Sequence, residues 1–555
     1  MNMQVLEKNK IISYFLFILF VLLFIAKYKY FAELFPRIDQ SFYIKWIIDL
    51  GNSKSLFPSG DKGFYLNLLS DSNSLLHNFF RRIYNDVGVI YNLIPISFNL
   101  IFSKITNYNY FTFNTLSIFF NCLIPLAITM YLIKKKDLST KYLLYLSTFN
   151  FFFIISFFSI FYLAPLGIHN YSLLSLIISI IVFESNLKNE FFLNRWVIFF
   201  GILIPCFSHK FNIVIVFSSI FLILFYRYFN RYKFKQDFVI SICLFFLVLS
   251  PILFFSFFGE RNIELLKIFF SITDQESSKN FISIISKYLN SHLTHSFRNF
   301  FLYLWNNLGF FGIILILTCL FDKKFSVIKV YIFATFLIFI FLPLSPYIDR
   351  LFNYFLILSI FLISQNSFKF FNGVTKKDKL MKILFILTIF VNLVPIFFNN
   401  LQNDFQRKIV DRYPYNKIWK NKLDKIIKIV GDDQIVFYQY LARDVYYAEY
   451  NRIDKYKEVY STPSVYDLSN KYLNQNFDYI KNISFDKNKF KNTYVLYFGD
   501  TTFEKNLTER FCYLQKKFFN SCGNLEIVNY SDHNKPLKYE GATHNYVLNL
   551  YKSLN

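Results

Sequence analysis

The feature that most constrains this chain is a series of long apolar runs. Residues 11–26, 111–133, 239–258 and 383–398 contain no charged side chain. An α-helix rises about 1.5 Å per residue, so about 20 apolar residues cross the roughly 30 Å hydrocarbon core of a bilayer. Several runs reach that length, whereas a soluble protein of 555 residues would divide into domains built from amphipathic helices. The sequence therefore predicts an α-helical polytopic membrane protein.

The basic character of the chain fits the same class. A formal net charge of +24 would suggest a nucleic-acid partner for a soluble protein. Here many Lys and Arg residues lie in short loops beside the apolar runs, where the positive-inside rule places them on the cytoplasmic side. We therefore expect a lipid bilayer around the helices and no nucleic acid. The first run lacks a small-residue cleavage site after it, which favours a retained span over a signal peptide.

The runs and the loops between them predict eleven spans, with the N-terminus in the cytoplasm. The predicted spans are 11–29, 111–133, 142–164, 170–186, 193–208, 211–227, 238–257, 308–321, 330–346, 351–367 and 380–398. With this count, most loops on the cytoplasmic side are compact and basic. The alternation requires that the apolar stretch 87–104 does not span. Its residues Asn92, Pro95 and Asn99 favour a surface-lying or re-entrant helix.

The same topology places several polar regions on one outer face. They are the long loop 30–110, the turn 208–210, the loop 259–307 and the turn 346–350. Residues 1–400 then form a transmembrane domain, and residues 401–555 form a soluble domain on the outer, periplasmic face of a bacterial inner membrane. Polar regions that share one face are typical of a membrane-embedded active site. A transporter would instead place ionisable groups in the middle of its spans.

The long outer loop begins with the sequence FPRIDQSFYIKWIIDLG at 35–51, which predicts an interfacial amphipathic helix. Asp39 lies at its beginning, just after the first span. It is either a first-turn acid favoured by the helix dipole or a functional group at the mouth of a site. In the second case it acts as a general base or as a ligand for a divalent metal ion. Asp49 is a weaker candidate in the same loop.

The turn Ser208-His209-Lys210 offers candidate contacts for a phosphate group. Lys210 would bind the phosphate of a donor, and His209 would carry a proton or make a second contact. The alternative is a polar turn whose lysine extends to the membrane interface. His169, in the turn APLGIHN, is predicted on the same face, although a single histidine in a turn is more often structural.

Arg350 begins a late span, and Tyr354 follows one helical turn later. A guanidinium group binds phosphate oxygens in a bidentate fork. The alternative is an interfacial ion pair between Arg350 and the preceding Asp349. Glu260 and Arg261, at the start of the loop 259–307, are lesser candidates of the same type. The sequence contains no phosphate-binding loop, no HExxH motif and no paired CxxC motif, so it gives no support to ATP-driven transport.

The layout of residues 10–400 resembles the C-type glycosyltransferase superfamily (GT-C), which includes protein mannosyltransferases, oligosaccharyltransferases and lipid A aminoarabinose transferases. The shared features are one span, a long outer loop that begins with an acid and an aromatic helix (Asp39, Tyr43, Trp46), and a proline-containing apolar stretch at 90–102. The resemblance implies a polyprenyl-phosphate-linked sugar donor and a glycan, lipid or protein acceptor. It also implies that Asp39 acts on the acceptor and that Arg350 holds the departing lipid phosphate. Gln40 follows Asp39 where many family members have a second acid.

Two other functions remain open. The segments GIHNYSLLSLIISI, CFSHKFNIVIV and DRLFNYFLIL are similar, in their order, to O-antigen or exopolysaccharide repeat-unit polymerases. Such polymerases usually lack a soluble C-terminal domain of this size, which favours the glycosyltransferase. The alternative of another class is a polysaccharide or lipid transporter, for which internal repeats would be expected and are not apparent in the sequence.

The composition changes near residue 403 to one rich in Lys, Asp, Asn and Tyr. Strands are predicted at 434–439, 493–498 and 525–529 and a helix at 503–519, which together indicate a soluble α/β domain. Cys512 and Cys522 would form a disulfide if this part faces an oxidising compartment. The other cysteines lie in apolar runs and are predicted to be small core residues: Cys122, Cys206, Cys243 and Cys319.

Overall fold

The computed structural model describes two parts of the chain. In the first it covers residues 3–31, 91–106, 110–135, 168–230, 232, 235–258, 300–302, 304–305, 308–341 and 348–397. In the second it covers 425–426, 428–431, 434–438, 461–462, 493–500, 525–528, 537–538 and 545–553. The chain divides into two compact units, one built mainly from residues 116–403 and the other mainly from residues 404–555.

The described part is mostly helical. The main helices of the first unit and its neighbouring segments are α1 (Met3–Phe31), α2 (Leu93–Thr106), α3 (Tyr110–Lys135), α4 (Ile168–Asn186), a π-helix (Val197–Leu203) followed by a short turn (Ile204–Cys206), α5 (Lys210–Phe229), α6 (Lys235–Phe258), α7 (Leu308–Leu320), α8 (Val327–Phe341), α9 (Ile348–Asn372) and α10 (Lys376–Phe397). Helix α8 packs against α5 and α9, α10 packs against α9, and the π-helix packs against α4.

Among the described residues, three segments are long and apolar enough to cross a membrane. They are Thr115–Lys134 in α3, Phe211–Phe229 in α5 and Asn353–Asn372 in α9, which coincide with the predicted spans 111–133, 211–227 and 351–367. Shorter apolar helical segments occur in several other predicted spans: Ile11–Ile25, Val197–Cys206, Leu308–Leu320 and Val327–Phe336. The predicted span 142–164 lies outside the described residues.

Helix α1 presents large apolar side chains on its surface at helical spacing. Tyr14 is 68% exposed, Phe17 64% and Leu22 59%. A contiguous apolar stripe of this kind is costly in water and marks a surface that contacts lipid or another protein. The stripe agrees with the membrane class that the uncharged runs predict.

Two prolines shape the helices because proline has no backbone N–H to donate. Pro205 leaves the carbonyl of Gly201 without its usual helical donor, and the Ser179 hydroxyl of α4 donates to that carbonyl at 2.5 Å. Glycine at position 201 also lets the π-helix lie close to α4. In α6, Pro251 removes the donor for Leu247, and the hydroxyl of Ser250 donates to the Leu247 carbonyl at 2.7 Å.

The apolar stretch 87–104 contributes α2, whose 14 residues extend about 21 Å and fall short of a bilayer core. The segment just before it enters the helical unit. The Tyr91 hydroxyl donates to the carbonyl of Val248 at 2.7 Å, and the N–H of Ile94 donates to the carbonyl of Phe207 at 3.1 Å. Val248 lies in the interior of α6, so the start of this stretch packs against the middle of that helix.

At the end of α5, Arg227 joins two loops. Its side chain is fully buried, and its guanidinium donates to the carbonyls of Leu187 at 2.6 Å and Glu190 at 2.9 Å. The carboxylate of Asp237 lies 3.5 Å from it and also accepts the N–H groups of residues 192 and 193. The end of α5, the start of α6 and the segment after α4 are therefore held together by one cation.

Three of the four cysteines predicted in the core are buried, namely Cys122, Cys206 and Cys319. The prediction is wrong for Cys243, which is exposed on α6. Ser241 and Val248, seven positions apart, share the buried face of this helix, whereas Cys243 lies on the other face with exposed residues such as Leu247. An apolar run alone does not indicate which of its faces is buried. Cys512 and Cys522 lie outside the described residues.

The second unit contains a mixed six-stranded sheet. Its strands are β1 (Gln434–Tyr438), β2 (Ser461–Thr462), β3 (Thr493–Asp500), β4 (Leu525–Ile527), β5 (Leu537–Lys538) and β6 (Asn545–Ser553). The order is β2-β1-β3-β6-β4, with β5 also on β6; β1 is parallel to β2 and β3, whereas β6 is antiparallel to its neighbours. The three predicted strands are confirmed, and the predicted helix 503–519 lies outside the described residues.

Candidate functional site

The beginnings of helices α4, α5 and α9 meet in a buried polar cluster. His169 is the second residue of α4, His209 is the N-cap of α5, and Tyr354 lies in the second turn of α9. The two imidazole rings are 4.6 Å apart between centroids, and Nδ1 of His169 lies 3.1 Å from the Tyr354 hydroxyl. All three side chains are less than 5% exposed. The structure thus brings together three of the residues that the sequence singled out.

A chain of hydrogen bonds continues from Tyr354 into the helical core. The Tyr354 hydroxyl donates to Oγ of Ser172 at 2.6 Å, and the Ser172 hydroxyl donates to Oδ1 of Asn212 at 3.0 Å. The amide nitrogen of Asn212 donates to the Pro205 carbonyl at 3.0 Å. Burial makes each of these bonds costly to break, because a buried polar group without its partner loses its hydration as well.

His209 is held by the start of α5. Its backbone is extended, with φ −168° and ψ 140°, and Nδ1 accepts the N–H of Phe211 at 3.3 Å. This arrangement is that of a helix N-cap, in which a side chain satisfies one of the first N–H groups of the helix. Lys210, the first residue of α5, follows directly.

A second polar chain lies beside the cluster and includes residues that sequence reasoning missed. The ammonium of Lys27, in the last part of α1, donates to Oδ1 of Asn121 in α3. The Asn121 amide donates to Oδ1 of Asn170 at 3.1 Å, and the Asn170 amide donates to Oγ of Ser117 at 2.7 Å. Asn170 is the neighbour of His169, so these hydrogen bonds connect the buried ammonium of Lys27 to the cluster. The available signal was Lys27, directly after the apolar run 11–26, because a charged residue is expensive inside a membrane.

The other predicted site residues are placed only in part. Arg350 is the third residue of α9 and lies one turn before Tyr354, so its backbone, like that of Lys210, belongs to the same helix ends. Asp39, Asp49, Glu260 and Arg261 lie outside the described residues.

The electrostatics of the cluster suit an anion. Each helix carries partial positive charge at its N-terminus, and three N-termini meet here, from helices of 19, 20 and 25 residues. Lys27 adds a buried positive charge that is linked to the cluster through Asn121 and Asn170. The two imidazoles can donate or accept a proton. The arrangement can therefore bind a phosphate group and transfer a proton beside it.

For a metal ion, the described segments give no group of three or more His, Cys, Asp or Glu side chains that could bind one. His169 and His209 are the two imidazoles of the cluster, and Asp39, predicted on the same outer face, lies outside the described residues.

The chain has no match among the models of known protein families and none among curated proteins.

Proposed function

We propose that this protein is an integral-membrane glycosyltransferase of the cell envelope. It transfers a sugar from a polyprenyl-phosphate-linked donor to a glycan, lipid or protein acceptor at the outer face of the inner membrane. The single observation that carries this proposal is the buried cluster of His169, His209 and Tyr354, at helix beginnings that also bear Lys210 and Arg350. A cationic, proton-transferring site at the membrane surface suits a lipid-linked phosphate.

The contacts between helix ends support the topology on which this location depends. Lys27, near the predicted outer end of the first span, and Asn170, at that of the fourth, are joined through Asn121 of the second span. At the predicted inner ends, Arg227 joins two loops: the loop before the fifth span and the loop after the sixth span. We propose a GT-C-like transmembrane domain with eleven spans, followed by a periplasmic α/β domain whose sheet would help to bind the acceptor.

The reaction follows from these groups. An acceptor hydroxyl attacks the anomeric carbon of the sugar, and the bond from that carbon to the phosphate oxygen breaks with its electron pair on the phosphate. Lys210, Arg350 and His209 stabilise the developing negative charge, together with the helix N-termini. Asp39 acts on the acceptor hydroxyl, as the resemblance implies, and the proton of that hydroxyl passes to a basic group of the site. A donor of this kind needs no nucleotide at the site, in agreement with the missing phosphate-binding loop.

A second candidate is a repeat-unit polymerase, and one observation favours it. The three segments whose order is similar to such polymerases contain His169, His209 and Tyr354, and these are the side chains that meet in the cluster. Both candidates use a polyprenyl-linked sugar, and they differ in whether the group transferred is one sugar or a whole repeat unit.

The test is to express Asp39→Asn and Arg350→Ala variants in the native bacterium and to analyse surface polysaccharide and lipid-linked intermediates. Loss of one charged contact to the departing phosphate is expected to lower transfer about 100-fold or more. The control is Arg195→Ala, which changes an exposed arginine outside the cluster. A glycan that lacks one sugar supports the transferase, and single repeat units support the polymerase. Unchanged glycans in both variants at normal protein levels contradict the proposed site.

A further inference from the structure

The hydrogen bonds around His169 determine which of its nitrogens carries the proton. The carbonyl of Pro205 can only accept, so the amide nitrogen of Asn212 must face it and Oδ1 must face Ser172. Oδ1 also only accepts, so the Ser172 hydroxyl donates its hydrogen there. The oxygen of Ser172 is then the acceptor for the Tyr354 hydroxyl, at 2.6 Å.

The same reasoning extends to the ring. Because the single hydrogen of the Tyr354 hydroxyl is directed to Ser172, the Tyr354 oxygen accepts from Nδ1 of His169, 3.1 Å away. Nδ1 of neutral His169 therefore carries the proton, and Nε2 carries the lone pair.

The hydrogen bond of His209 favours the opposite tautomer. Its Nδ1 accepts the N–H of Phe211 at 3.3 Å, and a proton on Nδ1 would oppose that N–H. The proton of neutral His209 therefore lies on Nε2. The two rings, 4.6 Å apart, thus present different chemistry: one offers a basic nitrogen and the other an N–H donor.

We propose that the two rings have different roles in the site because of this difference. Nε2 of His169 accepts a proton, and Nε2–H of His209 donates a hydrogen bond to the departing phosphate. Asn212, Ser172 and Tyr354 are positioning residues, because they act on substrate only through the tautomer of His169. The assignment of substrate groups rests on the proposed function, whereas the tautomers follow from protein atoms alone.

In the reaction, the acceptor hydroxyl passes its proton to Nε2 of His169 as its oxygen bonds to the anomeric carbon. The carbon–oxygen bond to the phosphate breaks, and its electron pair stays on the phosphate oxygen. The imidazolium keeps its Nδ1–H bond to Tyr354 and then returns the proton to the phosphate or to water. His169 thereby takes the proton, and Asp39 is left to orient the acceptor hydroxyl.

The test is nitrogen-15 NMR of the full chain in lipid nanodiscs, with labelled histidine. The chain has seven histidines, and the signals of interest are assigned with His169→Gln and His209→Gln variants. Protonated and unprotonated ring nitrogens resonate far apart, so each tautomer is read directly. We expect Nδ1–H for His169 and Nε2–H for His209 at a pH where both are neutral. The same tautomer on both rings would overturn the inference.

The positioning role is tested by Tyr354→Phe, which removes the acceptor of the His169 proton and keeps the aromatic ring. We expect the tautomer ratio of His169 to change about tenfold, the effect of losing one hydrogen bond of ordinary strength. The matched control is Tyr331→Phe, another fully buried tyrosine, whose hydroxyl lies 2.5 Å from Oγ of Ser179 outside the cluster. If Tyr354→Phe does not fold, Ser172→Ala breaks the next bond in the chain and is expected to change the same ratio. An unchanged ratio in the folded variant would overturn the role of the chain.

Adding undecaprenyl phosphate to the nanodiscs separates this inference from the proposed function. We expect a saturable shift of the His209 Nε2–H signal. Opposite tautomers without such a shift would support the hydrogen-bond assignment and contradict a phosphate site. A shift in a protein whose histidines share one tautomer would support the phosphate site and overturn the division of roles.

Discussion

Replacing Arg227 with alanine is expected to destabilise the helical unit strongly. The guanidinium is fully buried and donates to the carbonyls of Leu187 and Glu190, which belong to the segment after α4. It also lies beside the Asp237 carboxylate and over the ring of Tyr232, 4.9 Å from its centroid. The substitution removes all of these contacts at once.

The magnitude follows from the bonds that are lost. A hydrogen bond from a charged donor contributes about 1.5–3 kcal/mol, and removing one partner of a buried ion pair costs about 3–5 kcal/mol. Asp237 keeps two backbone donors, and Glu190 is exposed, so water can replace part of what its carbonyl loses. We therefore expect a loss near the lower limit, about 3 kcal/mol, which is roughly a 150-fold change in the unfolding equilibrium.

The measurement is reversible unfolding in mixed micelles with increasing dodecyl sulfate, followed by far-ultraviolet circular dichroism. Arg195→Ala is the matched control, because Arg195 is exposed and contacts only the ring of Trp196 among the contacts described for it, at 5.4 Å. The control is expected to lose less than about 1 kcal/mol. Equal stability of the two variants would refute the view that Arg227 holds the loops together.

Two further predictions use the same unfolding assay. Gly201→Ala is expected to lower the free energy of unfolding by about 1–3 kcal/mol, because a Cβ at this position would lie 2.9 Å from Cδ1 of the buried Phe183 ring. A decrease below about 0.5 kcal/mol would show that the π-helix can shift freely. For Asp322, outside the helices, the hydrogen bond from Lys369 lowers the pKa of the carboxyl below its usual value. The folded-state pKa is lowered, so the stabilisation is present above pH about 4 and is lost as the pH falls through the folded-state pKa. The free energy of unfolding of Asp322→Asn should therefore differ from that of the natural protein by less than about 1 kcal/mol near pH 7, because Lys369 is exposed and Asp322 partly exposed. The difference should vanish in acid, and a difference that grows in acid would contradict the sign.

The hydrophobic runs were enough to locate most of the described helices. The runs around 111–133, 211–227 and 351–367 predicted the three helices that, in the described part of the chain, are long enough to span. Periodicity did not identify the buried face, because an apolar run that is hydrophobic on all sides carries no such signal. Cys243 shows the consequence, since it lies in a run and is nevertheless exposed. In the second unit the strands were predicted, but their order was not, because pairing depends on contacts between distant parts of the chain.

Three side chains of the candidate cluster were singled out from the sequence, whereas the buried Lys27 and the supporting polar residues were missed. His169, His209 and Tyr354 attracted attention because polar groups at span ends are chemically distinctive. Ser172 and Asn212 did not, because a serine or asparagine in an apolar run is common and its partner cannot be read from the sequence. The Tyr354–Ser172 bond joins residues 182 positions apart, and only the packing of α9 on its neighbours brings them together.

The central claim is that the protein consumes a polyprenyl-linked sugar at this cluster. The most direct measurement is the amount of each polyprenyl-linked sugar, determined by mass spectrometry of lipid extracts from the native cells after the protein is depleted. The extracts are compared with those from cells that carry either the natural protein or a His209→Ala variant. We predict that one polyprenyl-linked species accumulates at least tenfold on depletion, returns to its usual level with the natural protein, and stays raised with the variant. Equal amounts of every species in all three strains would contradict the claim.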